Sequence, residues 1–283
     1  MAGKVFGVVE GFYRRPYTFD QRLDLIDFLN SLNLNTYVYG PKADKFHRRK
    51  WREKYSGKKI REFEILNRHC IERSINFVYA LSPVYRTDIE EVIEKIETLF
   101  ETGIRQFSIF FDDIKVPLTK DTAKKQVDVV NGLYEYLQGR MKKTRLSFCP
   151  TQYHGFKKTE YIKYLAAHLR MNIDTFWTGK NVVSQTITDR EVIRINGILS
   201  RPVLIWDNIF ANDYIPGTIL RFPYRRRSPG IVEHTRGILL NPMNNYRKSK
   251  PLIKTAAMFF HNPQTYDARR AWNLVSAEQN KQT

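Results

Sequence analysis

The chain has 283 residues, 42% of them hydrophobic and 13% aromatic; that supplies a core for one large domain or two small ones and excludes a disordered chain. No apolar run approaches the roughly 20 residues of a membrane helix, and Met1-Ala2-Gly3-Lys4 leads straight into Val5 without a separate apolar leader and small-residue cleavage site. The 47 basic and 29 acidic residues give a formal charge of +18, which attracts polyanions at long range, but no zinc-finger, RNA-recognition or P-loop pattern accompanies it.

These features predict a cytoplasmic protein with no membrane partner and no specific nucleic-acid partner. The basic excess is spread over residues 47–50, 58–61, 140–145, 221–227 and 247–250, mostly where loops or helix exteriors are expected, and reads as a solvated surface. Cys70 and Cys149 lie far apart in apolar stretches, outside any metal-ligand spacing, and read as reduced core thiols.

Short apolar runs recur about every 30 residues, each followed by a helical pattern. The first, 5–9, precedes Leu25, Phe28, Leu29 and Leu32 at helical spacing. The second, 36–39, precedes a helix carrying Phe63, Leu66 and Ile71. After the third, 77–81, Thr87 stands three residues before Glu90 as a capping box, followed by the stripe Ile89, Val92, Ile93, Ile96 and Phe100, with Gly103 closing the helix.

The fourth strand, 107–111, leads to a helix through Val127, Val130, Leu133 and Leu137. The fifth, 146–149, leads to a helix over 161–169. The sixth, 175–177, is followed by a second capping box, Thr188 with Glu191, ahead of Val192, Ile195 and Leu199. Strands at 203–206 and 238–240 complete the series, and a last helix is expected from near Pro251, carrying Leu252, Ala256 and Phe259. Eight strands alternating with helices, without a linker, predict a single-domain α/β fold over residues 1–283, a (β/α)8 TIM barrel. The rival, an open doubly wound sheet, is weakened for dinucleotide binding by the lack of a Gly-x-Gly-x-x-Gly turn after the first strand.

In such a barrel the site lies at the C-terminal strand ends. Those ends carry Glu10-Gly11, Lys42, Asp112-Asp113, Tyr153, Trp177-Thr178, Asp207-Asn208 with Asp213, and Asn241. A lone Asp after a strand often caps the next helix, and a lone Lys is ordinarily a surface residue; the coincidence across so many ends is what suggests a site. The sharpest feature is Phe110-Phe111-Asp112-Asp113-Ile114. Two adjacent carboxylates after an apolar run are costly to bury unpaired, and their proximity is expected to push one pKa upward, as suits an acid that must keep its proton. A divalent-metal site would want more carboxylates or histidines; amides, a lysine and aromatics fit sugar hydroxyls better. Arg225, Arg226 and Arg227, between strands seven and eight, are expected near the mouth, as a draw for acidic leaving groups or as a solvated loop.

Several motifs resemble glycoside hydrolase family 84, the O-GlcNAcase-type β-N-acetylglucosaminidases. They are Gly7-Val8-Val9-Glu10-Gly11-Phe12-Tyr13, Asn35-Thr36-Tyr37-Val38-Tyr39-Gly40-Pro41-Lys42, Trp51-Arg52-Glu53, Phe111-Asp112-Asp113-Ile114, Cys149-Pro150-Thr151-Gln152-Tyr153, Trp177-Thr178-Gly179, the segment from Trp206 to Tyr214, and Asn241-Pro242. They follow the family's order from residue 5 to about 245.

The resemblance implies the catalytic domain alone and a retaining hydrolase of terminal β-linked N-acetylglucosamine, including O-GlcNAc on protein Ser or Thr. The substrate's acetamido oxygen would form an oxazoline, an exception to the two-carboxylate scheme. It further implies that Asp112 orients the acetamide, that Asp113 serves as general acid and then base, and that Tyr153 and Asn208 contact the acetamido group or its carboxylate partner. Trp206 and Cys149 would line its methyl pocket, and Gly11, Lys42, Asp213 and Asn241 would hold hydroxyls. No cofactor and no metal are implied. The partner is a β-GlcNAc-bearing glycoconjugate or glycoprotein, and nothing specifies an oligomeric state. Arg14, Phe222 and Arg226 stand where the family usually has glycine, Tyr17 where tryptophan is common, and Ala43 where aspartate is common. These departures keep open a GlcNAc-binding protein with impaired catalysis on the same fold.

Overall fold

The computed structural model describes residues 3–84, 87–215 and 217–280; Met1 and Ala2, part of the segment read for a leader, lie outside them. Eight parallel strands, β1 (Val5–Glu10), β2 (Thr36–Tyr39), β3 (Asn76–Leu81), β4 (Gln106–Phe110), β5 (Arg145–Cys149), β6 (Asp174–Trp177), β7 (Val203–Asp207) and β8 (Gly237–Leu240), pair in chain order. Gly237 of β8 pairs with Val5 of β1, so the sheet closes and the open-sheet alternative fails. Between and after the strands run α1 (Phe19–Ser31), α2 (Gly57–Glu72), α3 (Ile89–Phe100), α4 (Lys120–Arg140), α5 (Glu160–His168), α6 (Asp189–Leu199), the one-turn α7 (Ile231–His234), α8 (Tyr246–His261) and α9 (Ala268–Asn280).

Strand alternation sorts the side chains into two layers. Val5, Val9, Val38, Val78, Ala80, Phe110, Cys149, Phe176, Leu204, Trp206 and Leu239 fill the barrel interior as one cluster. Their neighbours, such as Phe6, Val8, Tyr37, Tyr39, Ile109, Phe148 and Ile205, form the layer packed under the helices.

The helices follow from their stripes and caps. Val92, Ile96 and Leu99 bury one face of α3, and Val127, Val130, Leu133 and Leu137 do the same for α4. Thr188 and Glu191 make the predicted capping box, and Thr18 with Gln21 makes another that sequence reading did not pick out. At α3 the cap is Asp88 rather than Thr87: its carboxylate accepts from Glu90 N and its carbonyl from Val92 N at 3.2 Å, which sets the helix start one residue later. Gly103 stands three residues past the end of α3 at φ +87°, where it reverses the chain. Ile71 lies on α2 but is 66% exposed, one step off the buried line Phe63, Leu66, Asn67, Cys70.

The final helical region also departs from expectation. Asn245 caps α8, which begins five residues before Pro251. Proline is tolerated there because the loss of one early-turn N–H bond is offset by burial of Leu252, Ile253, Ala256 and Phe259. Helix α9 packs on α8, with Asp267 accepting from Arg270 N at 2.6 Å and Ala271 and Val275 buried.

Candidate active site

Alternation along β4 sends Ser108, Phe110 and Asp112 inward and would send Asp113 outward. The chain defeats that parity: Asp113 adopts φ +55°, and this left-handed turn brings its carboxyl back over the barrel mouth. Aspartate tolerates that region better than most residues, though still at a cost of about 1 kcal/mol. Both acids therefore face one cavity of about 700 Å³. Gly11, Lys42, Cys149, Tyr153, Trp206, Asn208, Asp213 and Asn241 line the same cavity, so all ten residues to which the resemblance gave a role converge.

A cationic loop after β2 supports Asp112. Lys42 Nζ donates to Asp112 Oδ2, and the ammonium also lies 5.4 Å from the Phe110 ring and 5.7 Å from the Trp206 ring. Lys42 is 6% exposed and lines the cavity with its ammonium bonded to the acid. Arg48 lies behind, donating to the backbone carbonyls of Asp112 and Asp113 and to Ser82 Oγ. The residues at 47 and 48 thus lie inside the structure, not on the solvated surface expected for that basic run. His47 is fully buried with Nδ1 at 2.6 Å from Ala80 O; since a carbonyl only accepts, Nδ1 carries the proton. Burial, then the Lys42 charge, holds the His47 imidazole down at about 3. The other carboxylate oxygen, Asp112 Oδ1, is buried without a hydrogen-bond partner.

Asp113 is held differently. Tyr153 donates to Oδ1 at 2.6 Å and Tyr13 to Oδ2 at 2.8 Å. Burial pushes the carboxyl up, but the Lys42 charge, the two tyrosine bonds and Arg48 together outweigh it, so Asp113 sits below the ordinary aspartate value. This reverses the expectation of an acid raised by its neighbour. Two cations and two hydrogen-bond donors surround the carboxyl, and each favours its ionised form. The Tyr153 hydroxyl, expected at the acetamido group or its carboxylate partner, is bonded here to Asp113.

The remaining wall is fixed by packing. Trp206 packs against Phe110 in a tilted contact at 4.9 Å and edge-on against Phe176 at 5.5 Å, and it donates through Nε1 to Asn208 Oδ1 at 3.0 Å. Asn208 Oδ1 also accepts from Asn241 Nδ2 at 2.9 Å, while its own amide donates to Val182 O at 2.8 Å. Asn241 Oδ1 accepts from Gly11 N at 3.3 Å. Asp213 Oδ2 accepts from Tyr13 N at 2.8 Å, and its carbonyl accepts from Arg14 Nε. Cys149 is buried beside the two acids, which, after desolvation, raise its thiol far above the usual range. A neutral thiol is wall, not nucleophile.

Sequence reading had not assigned Tyr13, Arg48, Val182 and Val183 to the site, although Tyr13, Val182 and Val183 line the cavity and Arg48 braces its floor. Tyr13 stands in the quoted strand-end motif and was findable; the two valines lie in an irregular loop with no pattern. Other strand-end residues turn away. Glu10 points into the helix layer, bound to Arg22 at 2.8 and 2.9 Å and to Tyr17 N. Trp177 donates to Gly155 O. Asp207 is buried against Arg227 at 2.6 and 2.8 Å and Tyr224 at 2.8 Å, so Arg227 is a structural ion pair and does not draw substrate. Arg225 and Arg226 are exposed. Both Arg14 and Arg226 hold positive φ, 73° and 58°, so those two departures from glycine fall where backbone freedom matters; Phe222 is not among the residues with positive φ.

Among the described residues, no three His, Cys, Asp or Glu side chains group closely enough to hold a metal ion. The chain is 33% identical to the protein O-GlcNAcase of Rattus norvegicus over 273 residues, which is 90% of this chain and 30% of that protein; the figures for the Mus musculus protein are the same. It thus spans less than a third of the length of these relatives. The fold matches that of a solved point mutant of the Thermobaculum terrenum O-GlcNAc hydrolase with TM-score 0.92 and 33% identity, over 97% of this chain and 62% of that one. A family model described as beta-N-acetylglucosaminidase matches residues 6–283, and the chain belongs to that glycoside hydrolase family.

Proposed function

We propose that this chain hydrolyses terminal β-linked N-acetylglucosamine with retention, using the substrate's 2-acetamido oxygen as nucleophile. The observation that carries the proposal is the convergence of Asp112, tied to Lys42, and Asp113 on one sugar-sized cavity. An acetamido N–H accepted by the Asp112 carboxylate aligns the amide oxygen with the anomeric carbon. As the glycosidic bond breaks, Asp113 gives a proton to the leaving oxygen and the amide oxygen closes an oxazoline. Asp112 stabilises its positive charge. Asp113 then takes a proton from the water that opens the ring. A sugar seated in the cavity excludes water, which favours the protonated form that Asp113 needs.

The reading extends to a single catalytic domain over residues 1–283 and to substrates that include glycoproteins carrying the sugar on Ser or Thr. The relatives' activity supports this, and the pocket opens directly to solvent at Tyr13 and Tyr214, 43% and 54% exposed. A cytoplasmic setting is supported by two buried, unpaired cysteines. Among the described residues no helix is long and apolar enough to cross a membrane.

The test is hydrolysis of aryl and alkyl β-N-acetylglucosaminides. Asp113→Asn should lose roughly 10²–10⁴ in rate on the alkyl glycoside and far less on an activated aryl one. Asp112→Asn should lose activity on both. An inert wild-type protein removes the proposal. A second reading, a pocket that binds without turnover, is favoured by the low position of Asp113; tight binding of an oxazoline mimic without hydrolysis selects it.

A further inference from the structure

We propose that Arg48 is a positioning residue, whose guanidinium holds the Asp112–Asp113 peptide in the left-handed turn that brings both carboxyl groups to one pocket. The inference rests on the function proposed above. Arg48 Nη2 lies 3.2 Å from both Asp112 O and Asp113 O. Two successive carbonyls reach one nitrogen only where the chain curls around it, and the curl here is the φ +55° of Asp113. The last ladder bond before it is Phe111 N to Cys149 O at 2.8 Å. Beyond that point a charged fork replaces the sheet as the partner of these carbonyls, and charge-assisted bonds of this kind are about twice as strong as neutral ones.

The fork is itself fixed. Nη1 donates to Ser82 Oγ at 2.7 Å, and Ser82 N donates to His47 O at 2.9 Å. The bond between His47 Nδ1 and Ala80 O pins the same loop to the end of β3. The arginine side chain is 10% exposed, so water does not compete for it. A role as mere counter-ion to Asp112 fits less well. Lys42 already holds that carboxylate, and the Arg48 nitrogen nearest to Asp112 Oδ1 is 3.9 Å away, farther than either carbonyl.

Arg48→Lys keeps the charge and removes the fork, so the turn should relax and misplace Asp113, the group that serves the leaving oxygen. Misplacements near 1 Å cost roughly 10²-fold. The expected result is a kcat loss of about that size on a poorly leaving alkyl glycoside and a much smaller loss on an activated aryl glycoside, with little change in KM. A purely structural defect lowers both alike, and equal losses overturn the proposal. Ser82→Ala, a milder change that frees one end of the fork, should show the same bias on a smaller scale; a loss without bias overturns it even if the lysine variant does not fold. A crystal structure of either variant gives a readout independent of turnover: Asp113 should leave its left-handed conformation or shift away from the pocket. A wild-type turn in both variants overturns the proposal. An inert wild-type enzyme, by contrast, defeats the functional reading and leaves this structural readout to decide.

Discussion

Trp206 lies against Gly11 with no room for a side chain between them: a Cβ on Gly11 would stand 2.2 Å from the indole Cζ2. The ring cannot retreat, because Phe110 and Phe176 pack on it and Asn208 holds its Nε1. Gly11→Ala is therefore expected to destabilise the fold by about 1–3 kcal/mol through overpacking. It should also tilt the pocket wall and lower kcat/KM by roughly 10²-fold. Urea unfolding and glycoside kinetics check the two effects; a variant with wild-type kinetics contradicts the assignment of Trp206 as a fixed wall.

The Tyr13 hydroxyl is one of two donors that hold Asp113 low. Removing it in Tyr13→Phe withdraws stabilisation from the ionised carboxylate, so the pKa of Asp113 rises. The descending limb of kcat/KM against pH reports the acid of the free enzyme, and a raised pKa moves that limb to higher pH. The shift should be clear with an alkyl aglycone and weak with an activated aryl one, which needs less proton donation. A limb that stays in place, or moves to lower pH, shows that Asp113 is not the group being read.

Much of the barrel was legible because each strand is an apolar run and each helix a stripe; Val92, Ile96 and Leu99 face inward as their spacing requires. The site was legible for a related reason. Inward parity at the strand ends places Gly11, Lys42, Asp112, Cys149, Asn208 and Asn241 on one side, and a parity argument needs only the sequence. What stayed hidden depends on contacts distant in the chain. Asp207 and Asn208 look equally available, yet Arg227 and Tyr224, about 20 residues later, claim the first and leave the second at the cavity. Asp113 violates parity through one dihedral angle that no residue pattern announces. The direction of its pKa shift followed from Lys42, Arg48, Tyr13 and Tyr153 assembling around it, which overturned an argument made from the acid pair alone.

Acid sensitivity should trace in part to His47. Burial and the Lys42 charge lower its folded pKa to about 3, against about 6.5 unfolded. Between those values the unfolded chain binds the extra proton, so stability rises with pH. The contribution is fully present above about 6.5 and is lost progressively as pH falls toward 3. At pH 5 the loss is roughly 2 kcal/mol. His47→Asn does not titrate, and its amide can still donate to Ala80 O. Between pH 7 and 5 the wild type should lose about 2 kcal/mol more than this variant in urea unfolding; parallel losses rule out His47 as the source.

Arg226 offers a stabilising change outside the pocket. It holds φ +58° on an exposed stretch, with its carbonyl accepting from Ile187 N at 3.1 Å. An L-residue pays about 1–2 kcal/mol in this conformation, whereas glycine enters it freely but loses more chain entropy on folding, about 0.5–1 kcal/mol. The balance favours Arg226→Gly by about 0.5–1 kcal/mol. The adjacent Arg227 keeps its bonds to Asp207, since they need the turn preserved rather than the side chain at 226. A higher unfolding midpoint at unchanged m-value is the expected outcome. A lower midpoint shows instead that the arginine stem packs on the loop strongly enough to exceed the backbone penalty.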